Sequence, residues 1–139
     1  MQIEQLVEKV LANEGGFVDH PDDRGGPTNH GVTKRTLAHW RKCEVSTEDV
    51  RNLSRDEACE IYGHMYWRQY GLDSITDNPT LCEMLLDASV HHDPVSTIKM
   101  LQRAVDARAD GLIGPRTRKA AQSVTATELA AAFVAERMI

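Results

Sequence analysis

Seven signals that open helices stand between residues 33 and 125 of this chain, and few architectures other than a set of short packed helices can use them all. Ser54-x-x-Glu57 and Thr125-x-x-Glu128 read as capping boxes, in which a hydroxyl and a carboxylate three residues on satisfy free amides of the first turn. Asn78-Pro79 and Asp93-Pro94 each place a capping side chain before a proline, whose fixed φ suits the first helical position, and Gly114-Pro115 opens another helix. Thr33 and Thr47 supply caps for helices carrying Leu37 with Trp40 and Val50 with Leu53. Ahead of these, Ile3, Leu6, Val7, Val10 and Leu11 recur at helical spacing and give a first helix one apolar stripe. Strand alternation is unconvincing outside residues 15–31. The pattern predicts an all-α fold of several short helices, with a small irregular loop or hairpin after the first.

That loop breaks the pattern. From residue 15 to 31 the chain holds five glycines, two prolines and three aspartates, a composition for turns rather than a continued helix. Gly15-Gly16 is read as the stop of the first helix, which sets Glu14 in or next to its last turn. A carboxyl there feels the negative end of the helix dipole, and partial burial beside the apolar stripe disfavours its charge further. Both effects raise its pKa, as a general acid requires. Asp23, on the better solvated loop, is expected to stay ionised, and Thr28 is placed to hold a water or the Asp23 carboxylate. Taken singly, each residue also has a plain reading: an exposed glutamate near a helix end, a turn-forming aspartate, a turn or cap hydroxyl.

With 139 residues the chain suffices for one compact domain and is short for two. The formal charge of -5 argues against a nucleic-acid partner, because phosphate binding draws on clustered positive charge. No apolar run approaches the ~20 residues a bilayer span needs, so membrane insertion is not expected. Met-Gln-Ile-Glu-Gln has no basic start, apolar core or cleavage site, so the reading expects cytoplasmic synthesis without a conventional signal peptide. Cys43, Cys59 and Cys82 lack metal spacing and are read as reduced core or near-core thiols. The last helical pattern runs to Ile139 without a glycine or proline stop, which suggests residues beyond it or a fraying helix.

Glu14-Gly15-Gly16-Phe17, Asp23-Arg24-Gly25-Gly26 and Thr28-Asn29-His30-Gly31-Val32-Thr33 resemble the signature of the family 108 glycoside hydrolases, phage and bacterial N-acetylmuramidases that include secretion-activator-like proteins. The order also resembles the Glu-x8-Asp-x5-Thr triad of phage-type lysozymes, here Glu14-x8-Asp23-x4-Thr28, one residue short before the threonine. Tyr62-x3-Tyr66-Trp67 resembles the aromatic segment of this family. Leu101-Gln102-Arg103-Ala104, followed by Asp110-Gly111-Leu112-Ile113-Gly114-Pro115-Arg116-Thr117, is similar to its predicted peptidoglycan-binding region. Departures are His91-His92-Asp93, where the family usually has Asn-x-Gly, Arg24 for a common proline and Asp19 for a common asparagine.

The resemblance implies one lysozyme-like domain, with residues 1–75 as catalytic segment and 76–139 as a peptidoglycan-binding helical segment packed in the same domain. It implies hydrolysis of the β-1,4 bond between N-acetylmuramic acid and N-acetylglucosamine, with Glu14, Asp23 and Thr28 as catalytic residues and no metal or organic cofactor. Asn29, Tyr62, Trp67 and Gln102 are the candidates for substrate contact. Core packing is the competing reading for the aromatic residues, and a helix-joining turn for Gln102 and residues 110–117. His91-His92 reads as surface histidines, and His20 and His30 as solvated loop residues. Expected partners are peptidoglycan glycan strands, together with a holin or other export system that carries the protein to the wall. A lytic transglycosylase and a non-catalytic wall-binding or secretion-assisting module are the alternatives.

Overall fold

The computed structural model describes residues 3–12, 16–19 and 26–138. The stripe read from the sequence becomes α1 (Ile3–Leu11), with Leu6, Val7, Val10 and Leu11 buried. A two-residue hairpin follows, β1 (Thr28–Asn29) against β2 (Val32–Thr33), antiparallel with Asn29 opposite Val32. Its turn residues His30 and Gly31 have φ of 52° and 79°. Positive φ at both central positions is the turn whose twist matches a two-residue hairpin. Gly31 takes that conformation at little cost, and His30 is the position where an L side chain has to accept it.

The helices begin close to where the capping signals put them. Thr33 caps α2 (Lys34–Arg41), accepting from the Thr36 amide. For α3 (Thr47–Arg51) the cap is Ser46 rather than Thr47: Ser46 and Asp49 form the reciprocal capping box, a residue earlier than the sequence suggested. Ser54 caps α4 (Arg55–Gly63), but the Glu57 carboxylate is held by Arg41, at 2.9 and 2.7 Å, and so ties α4 to α2. After Gly63 the helix widens into a π-helical segment, His64–Arg68, and a 3-10 turn at Leu72–Ser74 follows.

The second half keeps its expected starts. Asn78, Asp93, Gly114 and Thr125 precede α5 (Pro79–His91), α6 (Pro94–Ala104), α7 (Pro115–Gln122) and α8 (Ala126–Arg137). Helix α6 packs on α8 and α5, while α1 packs on α4 and α5. One hydrophobic cluster therefore runs from Leu6 in α1 through Ile61 and Leu85 to Phe133 in α8. Of the three free thiols, Cys59 is buried and Cys82 half-buried, but Cys43 is exposed, so the core reading fails for that one. It follows the left-handed Lys42 that ends α2, where the chain leaves the core.

Candidate active site

Thr28 sits in the middle of a miniature sheet. Its amide and carbonyl exchange hydrogen bonds with Val18, both 2.8 Å, and Thr28 lies opposite Thr33 on the other side. The Val18 and Thr28 pair brackets residues 19–27, the segment that carries Asp23. Glu14 and Asp23 themselves lie outside the described residues, as do Gly15 and His20. The last helical residue of α1 is Leu11, three positions before Glu14.

Alternation along β1 decides which way its two side chains face. Asn29 is 5% exposed and its amide nitrogen donates to Val50 O and Arg51 O at 3.0 Å each, with Leu53 O at 3.5 Å. Those carbonyls lie at and just past the C-terminal end of α3 (Val50 O also accepts from the Leu53 amide), so Asn29 caps that end from more than twenty residues away. Adjacent residues of a strand point to opposite faces, which leaves Thr28, half-buried, on the other side. Tyr62 Oη donates to His30 O at 3.0 Å and holds the turn. Arg51, paired with Glu48, also lies 4.4 Å above the Phe17 ring and links α3 to the residues just before Val18.

The four residues considered for substrate contact are turned into the protein. Asn29 serves α3, as described. Tyr62 is buried, with its ring 5.0 Å from that of Tyr66 and its hydroxyl on the His30 carbonyl. Trp67 is 4% exposed and belongs to the core, which leaves little ring face for stacking on a sugar. Gln102 is fully buried: its nitrogen donates to Asp110 Oδ1, Leu112 O and Thr117 Oγ1, and its oxygen accepts from the Gly111 amide. It joins α6 to the turn before α7, where the Leu112 side chain stands out at 72% exposure. The structure thus brings Thr28, Asn29, His30 and Tyr62 together and leaves Trp67 and Gln102 in the interior elsewhere.

A groove of about 580 Å³ runs between α1 and α4, lined by Glu4, Glu8, Trp40, Asp56, Glu60 and His64 among others. Among the described residues, none of the catalytic or substrate-contact candidates named from the sequence lines it. Glu8 is bound there by Arg55 Nε at 2.7 Å and by the Cys59 thiol at 3.4 Å. The Arg55 bond holds the Glu8 carboxyl below its usual pKa, while burial and the Glu8 bond push the Cys59 thiol up to about 11. A thiol so raised stays protonated at neutral pH and is no nucleophile. Among the described residues no group of three or more His, Cys, Asp or Glu stands ready to hold a metal ion. His91 and His92 are both exposed, as expected; His91 bonds to Asp87 and His92 contacts Arg137 where α5 turns into α6.

Among the described residues, eight short α-helices around one core, with a small hairpin after the first, define an all-α domain of the lysozyme-like class. The chain belongs to the glycosyl hydrolase 108 family, whose model matches residues 7–92, a stretch that holds Glu14, Asp23 and Thr28. A solved structure of SagA from Brucella abortus is similar to it at 33% identity and a TM-score of 0.82, over 97% of this chain and 76% of that one. Among curated proteins no match is found.

Proposed function

We propose that this protein is a peptidoglycan hydrolase of the N-acetylmuramidase type, cleaving the β-1,4 bond between N-acetylmuramic acid and N-acetylglucosamine. Glu14 protonates the leaving glycosidic oxygen. Asp23, with Thr28, orients the attacking water or stabilises the oxocarbenium-like transition state. The observation that carries this reading is the family match over residues 7–92, which takes in all three residues. The facing of Thr28 away from the core supports it, because a hydroxyl turned inward would be lost to substrate or water. No cofactor enters this reading, since the proton transfer is done by carboxyl groups. The glycan strands are the partner of this site, residues 76–139 are a proposed second contact with the wall, and a holin or other export system is the proposed route of release.

The test is clearance of purified peptidoglycan by wild type, Glu14→Gln and Asp23→Asn side by side. Loss of a general acid costs about 10²- to 10⁴-fold, so E14Q is expected to clear the suspension at a rate near background. Equal clearance by wild type and E14Q would end the catalytic assignment. Mass spectrometry of the digest is expected to give reducing muramic acid ends. Anhydro ends alone would instead make the enzyme a lytic transglycosylase, and absence of any cleavage would favour a non-catalytic wall-binding module.

A further inference from the structure

We infer that Asn29 is a positioning residue for the proposed reaction: its buried amide fixes the register of the hairpin, and through it the facing of Thr28. Three observations converge on it. The amide group carries two hydrogens and meets the Val50 and Arg51 carbonyls of the α3 end at 3.0 Å each, with Leu53 O just past it at 3.5 Å, so its place is set by groups far from the hairpin in the chain. The strand it belongs to has only two residues, so ladder bonds alone specify little. And a slip of one residue in a strand exchanges its two faces, which would turn Thr28 toward α3 and Asn29 outward. The same register sets the pair of 2.8 Å bonds between Val18 and Thr28, at the two ends of the segment with Asp23.

Asn29 therefore touches no substrate in this account, and acts through Thr28. The Tyr62 bond to His30 O secures the turn but leaves the facing of Thr28 undetermined, because a carbonyl of the turn is not a side chain of the strand. The inference rests on the proposed muramidase reading for its consequence in catalysis, and on geometry alone for its consequence in the hairpin.

Two readouts separate these. Hydrogen exchange at the Val18 and Thr28 amides is measured for wild type, Asn29→Asp and Asn29→Ser, beside core amides of α5 and α6. Asn29→Asp replaces the donor with a charge that the carbonyls repel. Exchange at Val18 and Thr28 is expected to rise about tenfold or more while the core amides keep their rates, since the opening is local. Asn29→Ser retains a short donor, gives a smaller rise, and supplies the measurement should the aspartate variant fail to fold. In kinetics on soluble glycan strands, kcat is expected to fall about ten- to a hundredfold, as for a misplaced catalytic group, with KM within about twofold. Equal acceleration at every amide would reduce Asn29 to a general stabiliser and overturn the inference. So would a raised KM with kcat retained, which would make it a substrate contact. If wild type itself fails to cleave, the function reading falls while the exchange measurement still decides the role of Asn29 in the hairpin.

Discussion

Gln102 illustrates how a buried polar side chain is held at the scale of a single residue. It is fully enclosed and its side chain bonds to the turn at 110–112 and to Thr117 of α7, so removing the amide leaves the Gly111 N–H without its partner in the interior. Each such orphan costs about 1–3 kcal/mol, and Gln102→Ala is expected to lower the unfolding free energy by about that amount or more. A residue that contacts substrate behaves otherwise, with KM raised and stability kept. Urea unfolding and KM on soluble strands measured together distinguish the two, and a stable variant with raised KM would restore Gln102 to the substrate site. The chemistry of Asn29, Tyr62, Trp67 and Gln102 suggested ligands because a sequence presents polar and aromatic groups without their partners. The carbonyls that Asn29 meets lie 21 to 24 residues away, and no local pattern encodes that meeting. The hairpin that holds Thr28 was legible for the opposite reason, since it is built from residues close together in the chain.

Helix starts are local chemistry, and at the scale of elements most could be read in advance. Asn78, Asp93 and Thr125 cap where the spacing put them, because a side-chain oxygen and an amide three residues on need nothing from the rest of the fold. The slip from Thr47 to Ser46 is equally local, two adjacent hydroxyls competing for one cap, with Asp49 in reach of the earlier. The π-helical segment His64–Arg68 carries no comparable signal; it lies where α4 passes into the turn packed against α5. Asp93 adds an acid-sensitive contribution to α6. Its carboxylate accepts from the Ser96 amide and hydroxyl, both at 2.7 Å, and these bonds hold its pKa below the usual 3.8. A pKa lowered by folding means that the ionised form is the one the native state favours. That stabilisation is complete above pH 3.8 and is lost as the pH falls through the lower folded value. D93N retains an acceptor for the amide but no proton to gain, so its stability is expected to vary less with pH in that acid range. Parallel slopes for the two proteins in acid denaturation followed by circular dichroism would remove this role.

At the scale of the whole molecule, the expected division into residues 1–75 and 76–139 cuts across a single hydrophobic cluster. Helix α1 lies on α5, Lys9 of the one is 3.6 Å from Glu83 of the other, and α4 with its π-helical segment completes the contact on the same side. The cluster that contains Leu6 also contains Phe133, so apolar faces from both segments are covered by each other. A chain of this size with one continuous core is expected to unfold in a single step. The two tryptophans, Trp40 and Trp67, both lie in the first segment, whereas α5 to α8 supply much of the helix signal in the second. Tryptophan fluorescence and far-ultraviolet circular dichroism therefore report different halves of the chain during urea unfolding. Their midpoints are expected to coincide, and residues 76–139 expressed alone are expected to lack a cooperative transition, because the side of α5 that α1 covers would face water. Two separated midpoints, or a cooperatively folding fragment, would mean that the second segment carries a core of its own, and that the hairpin and Thr28 could be detached from it without loss of fold.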